Sequence, residues 1–244
     1  MDVVLTHADR LSLISSVRAR LRMGQGFALA TINLDHLVKL HLHDGFRRAY
    51  AQHDLVVADG NPIVWLSRLA GQRVPLITGS DLVVPLAHAA AAEDVAVALV
   101  GSTPGTLALA AARLEEMAPG LTVIERIAPA FGFDPEGDAA TEILAQLADS
   151  GAGLCFLALG APKQEILAAR GRRIAPHIGF VSVGAGLDFI AGQQMRAPLW
   201  MRRLALEWVW RALSSPRRLI PRYLACMAIL PGEAWRALML RFMA

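Results

Sequence analysis

The chain has 244 residues, 55% hydrophobic and only 18% charged, a length that a single α/β domain of about 200–250 residues can reach. That apolar share exceeds the roughly 45–50% of ordinary soluble domains. Yet no run of about 20 nearly uncharged apolar residues is present to cross a bilayer, and the start MDVVLTHADRL lacks the pattern of a signal peptide. The expected location is therefore the cytoplasm, resting at most on the inner face of the membrane. Two cysteines, Cys155 and Cys226, make neither a disulfide framework nor a ligand set, and Cys155 within LCFLALG reads as a small buried hydrophobe.

In chain order, short apolar runs bounded by turn residues alternate with helical patterns. Strands are predicted over Phe27–Asn33, Leu55–Asp59, Val95–Gly101, Leu121–Arg126, Leu154–Gly160 and Gly179–Gly184. Helices are predicted over Asp35–Gln52, Pro62–Leu69, Asp81–Ala92, Pro104–Met117, Ala139–Ala148 and Pro162–Ile174. Continuous apolar strands alternating with helices imply a mostly parallel sheet covered on both faces, a Rossmann-like α/β fold. This core is expected to span residues 1–195. Ligands of such sheets bind at the carboxyl ends of the strands, where the polar and glycine residues gather.

Residues 196–244 read differently, as two or three helices cut by Pro216, Pro221 and Pro231. Nine arginines stand there against Glu207 and Glu233, a net +7, so the rest of the chain carries −4 of the total +3. Only Lys39 and Lys163 are lysines. Arginine's planar fork suits phosphate oxygens. Interleaved with Trp200, Trp208, Trp210 and Trp235, these arginines suit a headgroup interface. The plain alternative is a helical subdomain packed on the core with a solvated basic face.

Several motifs could carry chemistry. TIN (Thr31–Asn33) and VADGNP (Val57–Pro62) place Thr31, Asn33, Asp59 and Gly60 at neighbouring strand tips. Asp59 there is either a general base or a helix cap. GSTPGT puts Gly101, Ser102 and Gly105 at a strand-to-helix turn, where the helix N-terminus attracts phosphate. GAPKQE repeats the geometry with Gly160, Lys163 and Gln164, and GAGLDF ends a strand with Gly184 and then Asp188, a ribose ligand or a cap. Each has an ordinary capping or turn alternative. No D-x-D, HExxH or GxSxG is present. His36, His41, His43 and His53 read as surface or packing residues, so no metal and no cofactor is expected.

The stretches TINLDHL, ADGNPIVW, TGSDLV, GSTPGT, GAPKQE, GAGLDFIAG with APLW, LEWVWR and SSPRRLIPRYL, in this order from Thr31 to Leu224, resemble the WecG/TagA/CpsF glycosyltransferase family. The resemblance implies an inverting, metal-independent transferase that moves a sugar from a UDP-sugar to a polyprenyl-diphosphate-linked acceptor in exopolysaccharide or other cell-surface polymer synthesis. It also implies that Asp59 is the base, that Thr31, Asn33 and Gln164 stand at the reaction centre, and that Arg211, Arg217, Arg218 and Arg222 complete the site and meet the membrane. Arginine could replace a metal over the departing diphosphate. One departure is visible: the Arg-Val pair found just before TGxD in many relatives stands further upstream here, as Arg73-Val74. A nicotinamide-dependent oxidoreductase shares the sheet but lacks GxGxxG after the first strand. A non-catalytic peripheral relative would keep the tail without needing the polar rim. Nucleic acid is not an expected partner, because the basic segment is too apolar. Self-association into a homo-oligomer stays open.

Overall fold

The computed structural model describes every residue except 1–3, 7–8, 196, 199, 202–203, 205, 215 and 244. Six strands, β1 (Phe27–Ile32), β2 (Leu55–Ala58), β3 (Val97–Gly101), β4 (Val123–Ile127), β5 (Leu154–Ala158) and β6 (Gly179–Ser182), form one sheet. All pairings are parallel, in the order β2-β1-β6-β5-β3-β4. These are the six runs read from the sequence, with ends moved by one or two residues.

The helices are α1 (Arg10–Arg22), α2 (Leu34–Leu42), α3 (Asp44–Tyr50), α4 (Asn61–Leu69), α5 (Gly79–Ala92), α6 (Pro104–Met117), α7 (Asp138–Asp149), α8 (Lys163–Ile174), α9 (Gly186–Ile190), α10 (Glu207–Ser214) and α11 (Pro216–Met243). Strand side chains alternate between the two sheet faces. Leu29, Val57, Leu99, Phe156 and Val181 pack under α1, α5, α6 and α9. On the other face, Ala98, Cys155 and Phe180 meet α7 and α8, while Ala30, Ile32, Val56 and Ala58 meet α2, α3 and α4. Full burial of Phe156 and Phe180 contributes about 2–3 kcal/mol each. Helices after β3 and β6 lie on the first face and those after β1, β4 and β5 on the second. The loops therefore diverge at the carboxyl edge beside β5 and between β1 and β6, opening the crevice where such sheets bind ligands.

Four local readings are corrected. The single helix expected over Asp35–Gln52 is two, α2 and α3, because His43 is extended between them and Arg47 donates 2.8 Å to the terminal carbonyl of Leu40. Helix α1 was not anticipated; Asp9 caps it, accepting from Ser12 N–H at 2.8 Å, and Leu13, Val17 and Leu21 form its buried stripe. The short α9 over Gly186–Ile190 was also not anticipated. In the tail, Pro221 and Pro231 do not cut the chain but lie inside α11. Both are exposed, as are Arg217 and Met227, whose carbonyls they leave free of helical bonds, so water can satisfy these groups. The docked face of α11, carrying Leu219, Cys226 and Ala237, packs on α2 and α4.

Candidate functional site

Two strand tips form the left side of the crevice. The Asp59 N–H donates 2.7 Å to the Ile32 carbonyl, continuing the ladder past β1 and β2 so that Thr31-Ile32-Asn33 and Ala58-Asp59-Gly60 run side by side. Asn33 caps α2, its Oδ1 accepting from His36 N–H at 3.0 Å. Thr31 is buried, facing the start of α5. Gly79 approaches it so closely that a Cβ there would stand 3.1 Å from Thr31 Oγ1 and 3.2 Å from Val183 Cα. The glycine of TGSD is thus the condition for seating α5 on the tips of β1 and β6. Asp59 is half-buried; burial foremost, then the charges of Glu165 and of Asp59, holds the Tyr50 phenol well above its ordinary range. Tyr50 Oη and His36 Nδ1 share a hydrogen bond of 2.6 Å. Burial foremost, then the charges of Lys39 and Arg222, keeps His36 neutral.

The centre is built by one amide. Gln164, in the first turn of α8 and 3% exposed, accepts two backbone N–H groups at Oε1, from Gly160 at 3.2 Å and Gly184 at 3.1 Å. Its Nε2 donates to Glu165 Oε1 at 2.7 Å. Gln164 therefore ties the β5 and β6 loops together, and those two N–H groups are already engaged. Glu165 is completely buried, its Oε2 has no hydrogen-bond partner, and desolvation pushes its carboxyl up to about 7. Lys163, just before Gln164, is partly exposed.

On the right, Gly101 takes φ +120°, and a Cβ there would fall 2.4 Å from the Ala158 carbonyl oxygen. Only glycine lets β3 and β5 end this close. Ser102 follows with φ +50°, uncommon for a non-glycine residue. Its hydroxyl donates to Asp188 Oδ1 at 2.7 Å. GSTPGT and GAGLDF thus meet over the end of β5, and Asp188 also accepts from Gln194 at 3.3 Å. Gly105, in the first turn of α6, has open space where a side chain would stand.

The tail enters from the far side. Leu219, Arg222 and Cys226 share the docked face of α11 through their spacing of three and four, so Arg222 is carried inward. Its Nε lies 3.0 Å from Asp35 Oδ1, close enough for an ion pair but off the direction a hydrogen bond needs. Asp35, in the first turn of α2, also accepts from Lys39 Nζ at 2.6 Å, and Lys39 donates to the Ala161 carbonyl at 2.9 Å. Residues 35–39, 161 and 222 are thereby fastened together beside the Asn33 cap. A second link, His41 to Glu233 at 2.8 Å, holds the middle of α11.

The structure thus gathers Thr31, Asn33, Asp59, Gly60, Gly101, Ser102, Gly105, Gly160, Lys163, Gln164, Gly184 and Asp188 on one sheet edge and brings Arg222 to it. Arg217 is not brought there: five residues before Arg222, it lies about 140° round the helix, and it is exposed. The side chains of Arg211 and Arg218 lie outside the described residues. Arg73 stands with Arg68 and Val74 on an open basin of about 470 Å³. Asp35, Lys39 and Glu165 were missed; the Asp35–Lys39 spacing of four on a helix was the available signal for the first two. Among the described residues no His, Cys, Asp or Glu cluster could hold a metal ion, and no helix is long and apolar enough to cross a membrane. The sequence model of the glycosyl transferase WecG/TagA/CpsF family matches residues 1–242.

Proposed function

Since the chain belongs to the WecG/TagA/CpsF family of glycosyltransferases, we propose that its carboxyl-edge crevice transfers a sugar, with inversion and without a metal, from a UDP-sugar to a polyprenyl-diphosphate-linked acceptor in cell-surface or exopolysaccharide synthesis. The donor sugar is of the N-acetylmannosamine, glucose or uronic-acid type. The observation that carries this reading is the docking of α11: it brings the Arg222 cation to Asp35, in the first turn of the helix that Asn33 caps at its strand tip.

In this reading the nucleotide lies over the β3, β5 and β6 loops, with the open start of α6 at Gly105 and Lys163 facing its phosphates. Asp59 takes the proton of the attacking acceptor hydroxyl. Thr31 and Asn33 orient the sugar beside it. The acceptor hydroxyl oxygen bonds to the anomeric carbon as the bond to the diphosphate oxygen breaks. Charge then develops on the departing UDP, where Arg222 and its neighbours in the tail, Arg211 and Arg218 among them, stabilise it; Arg217, exposed on another side of α11, is left to the membrane side. Gln164 acts by holding the loops rather than by touching the sugar. The segment 196–244 is an appendage to the 1–195 core that rests on the inner membrane face. Exposed Ile220, Leu224, Met227, Trp235, Leu240 and Phe242 on α11 support that contact.

The test is UDP release from a panel of UDP-sugars with a short-chain polyprenyl-diphosphate-sugar acceptor. Wild type is expected to release UDP only with acceptor present, unaffected by EDTA. Asp59→Asn is expected to lose at least about 100-fold, the lower end for removal of a general base. Equal release by both proteins removes Asp59 from its role.

A further inference from the structure

The carboxyl of Glu165 has no place in the transfer just described, yet it occupies a costly position. It is fully buried on α8 with one oxygen unpartnered, on a helix that packs against α3, α7 and the sheet. Leucine would fill such a site without desolvating a polar group. Its side-chain partner is its neighbour: Glu165 Oε1 accepts from Gln164 Nε2 at 2.7 Å.

An amide can be seated in two orientations that differ by exchange of oxygen and nitrogen. Here only one works. Gly160 and Gly184 both offer N–H donors, 3.2 and 3.1 Å away, so the atom facing them must be the oxygen. The flipped amide would set an NH₂ against two donors. The two donors select this seating from one side, and an acceptor on the opposite side of the amide, Glu165 Oε1, holds it from the other. We infer that Glu165 is a positioning residue that locks the Gln164 amide, and through it fixes the separation of the β5 and β6 loops at the crevice.

The groups around it fit this part. Lys39 and Asp35 of α2 and Tyr50 of α3 face the carboxyl electrostatically. Lys39 also holds the same β5 loop through the Ala161 carbonyl. The loop is thus pinned at Gly160 by Gln164 and at Ala161 by Lys39. The consequence for catalysis rests on the reading of these loops as the donor cradle, whereas the lock itself does not.

The experiment follows amide hydrogen exchange at Gly160 and Gly184 in the full chain, with thermal melting and donor KM, for wild type, Glu165→Gln, Glu165→Leu and Glu165→Met. Glutamine still presents an acceptor, so Glu165→Gln keeps slow exchange at both glycines. Leucine and methionine do not. Exchange at both glycines then quickens about tenfold, the loss expected when a hydrogen bond is no longer held. The melting temperature of Glu165→Leu stays at or above wild type, and its donor KM rises about tenfold with a smaller change in kcat. Unchanged exchange in both apolar variants overturns the lock. So does exchange quickened throughout the chain with melting below wild type in both, which is the mark of ordinary packing. Local quickening in a wild-type background that transfers from no nucleotide sugar sustains the lock and overturns the functional reading instead.

Discussion

Replacing Glu165 by glutamine should make the protein more stable above neutral pH, and the size follows from burial. The carboxyl moves from 4.5 in the unfolded chain to about 7 in the fold, chiefly through desolvation. The folded state therefore binds the proton more tightly. Its contribution to stability is complete below the unfolded value, declines as pH rises from 4.5 to about 7, and is gone beyond. At about 1.4 kcal/mol per pH unit the full span is about 3 kcal/mol. An amide cannot ionise, so Glu165→Gln escapes the decline. Between pH 5 and pH 8 the stability of the variant should gain on wild type by about 2–3 kcal/mol. For a chain of this length that corresponds to roughly 5–10 °C in Tm. His36 and His53 move the absolute curves the other way. His36 is buried and His53 partly so, and both are held below their ordinary range, His53 at about 4, chiefly by desolvation. Their stability is present above 6.5 and lost as pH falls toward their folded values. They are common to both proteins and cancel in the difference. The assay is urea unfolding of the two proteins in parallel at pH 5, 6, 7 and 8. Parallel curves, or a variant less stable than wild type at pH 8, would refute the argument that the carboxyl is buried at a cost.

Two further experiments probe the tail and the sheet edge. Asp35→Asn removes the charge facing Lys39 and Arg222. A double-mutant cycle with Arg222→Met, read by urea unfolding, should show a coupling of about 1 kcal/mol or more, since Asp35 is 8% exposed; additive effects would mean that the ion pair does not dock α11. Gly101→Ala must both adopt φ +120° and displace the Ala158 backbone from 2.4 Å, so it should cost at least about 3 kcal/mol, measured as a fall in Tm. A Tm within about 1 °C of wild type would contradict the strand separation described here.

The amino-acid order alone determined the sheet. Six runs of five to seven residues, apolar apart from the edge run LTVIER, have their stable use as strands of a covered parallel sheet, and their polar tips marked the carboxyl edge in advance. The family resemblance was equally legible, because eight short motifs in fixed order need no coordinates. What the sequence could not supply was partnership at long range. Asp35 and Arg222 are 187 positions apart, and Ser102 and Asp188 are 86 apart. Helical periodicity says which face a residue occupies, not which other element covers it. The same limit hid the division of labour within GAPKQE. Gln164 and Glu165 look like an ordinary polar first turn, and only the packing of α8 against α3 and the sheet turns one into a loop clamp and the other into a buried carboxyl. Pro221 and Pro231 show the converse. Their local signal for breaking a helix is real, but burial of the Leu219–Ala237 face against α2 and α4 outweighs it, because tertiary contacts stabilise the whole helix while each proline removes one backbone bond on the exposed side.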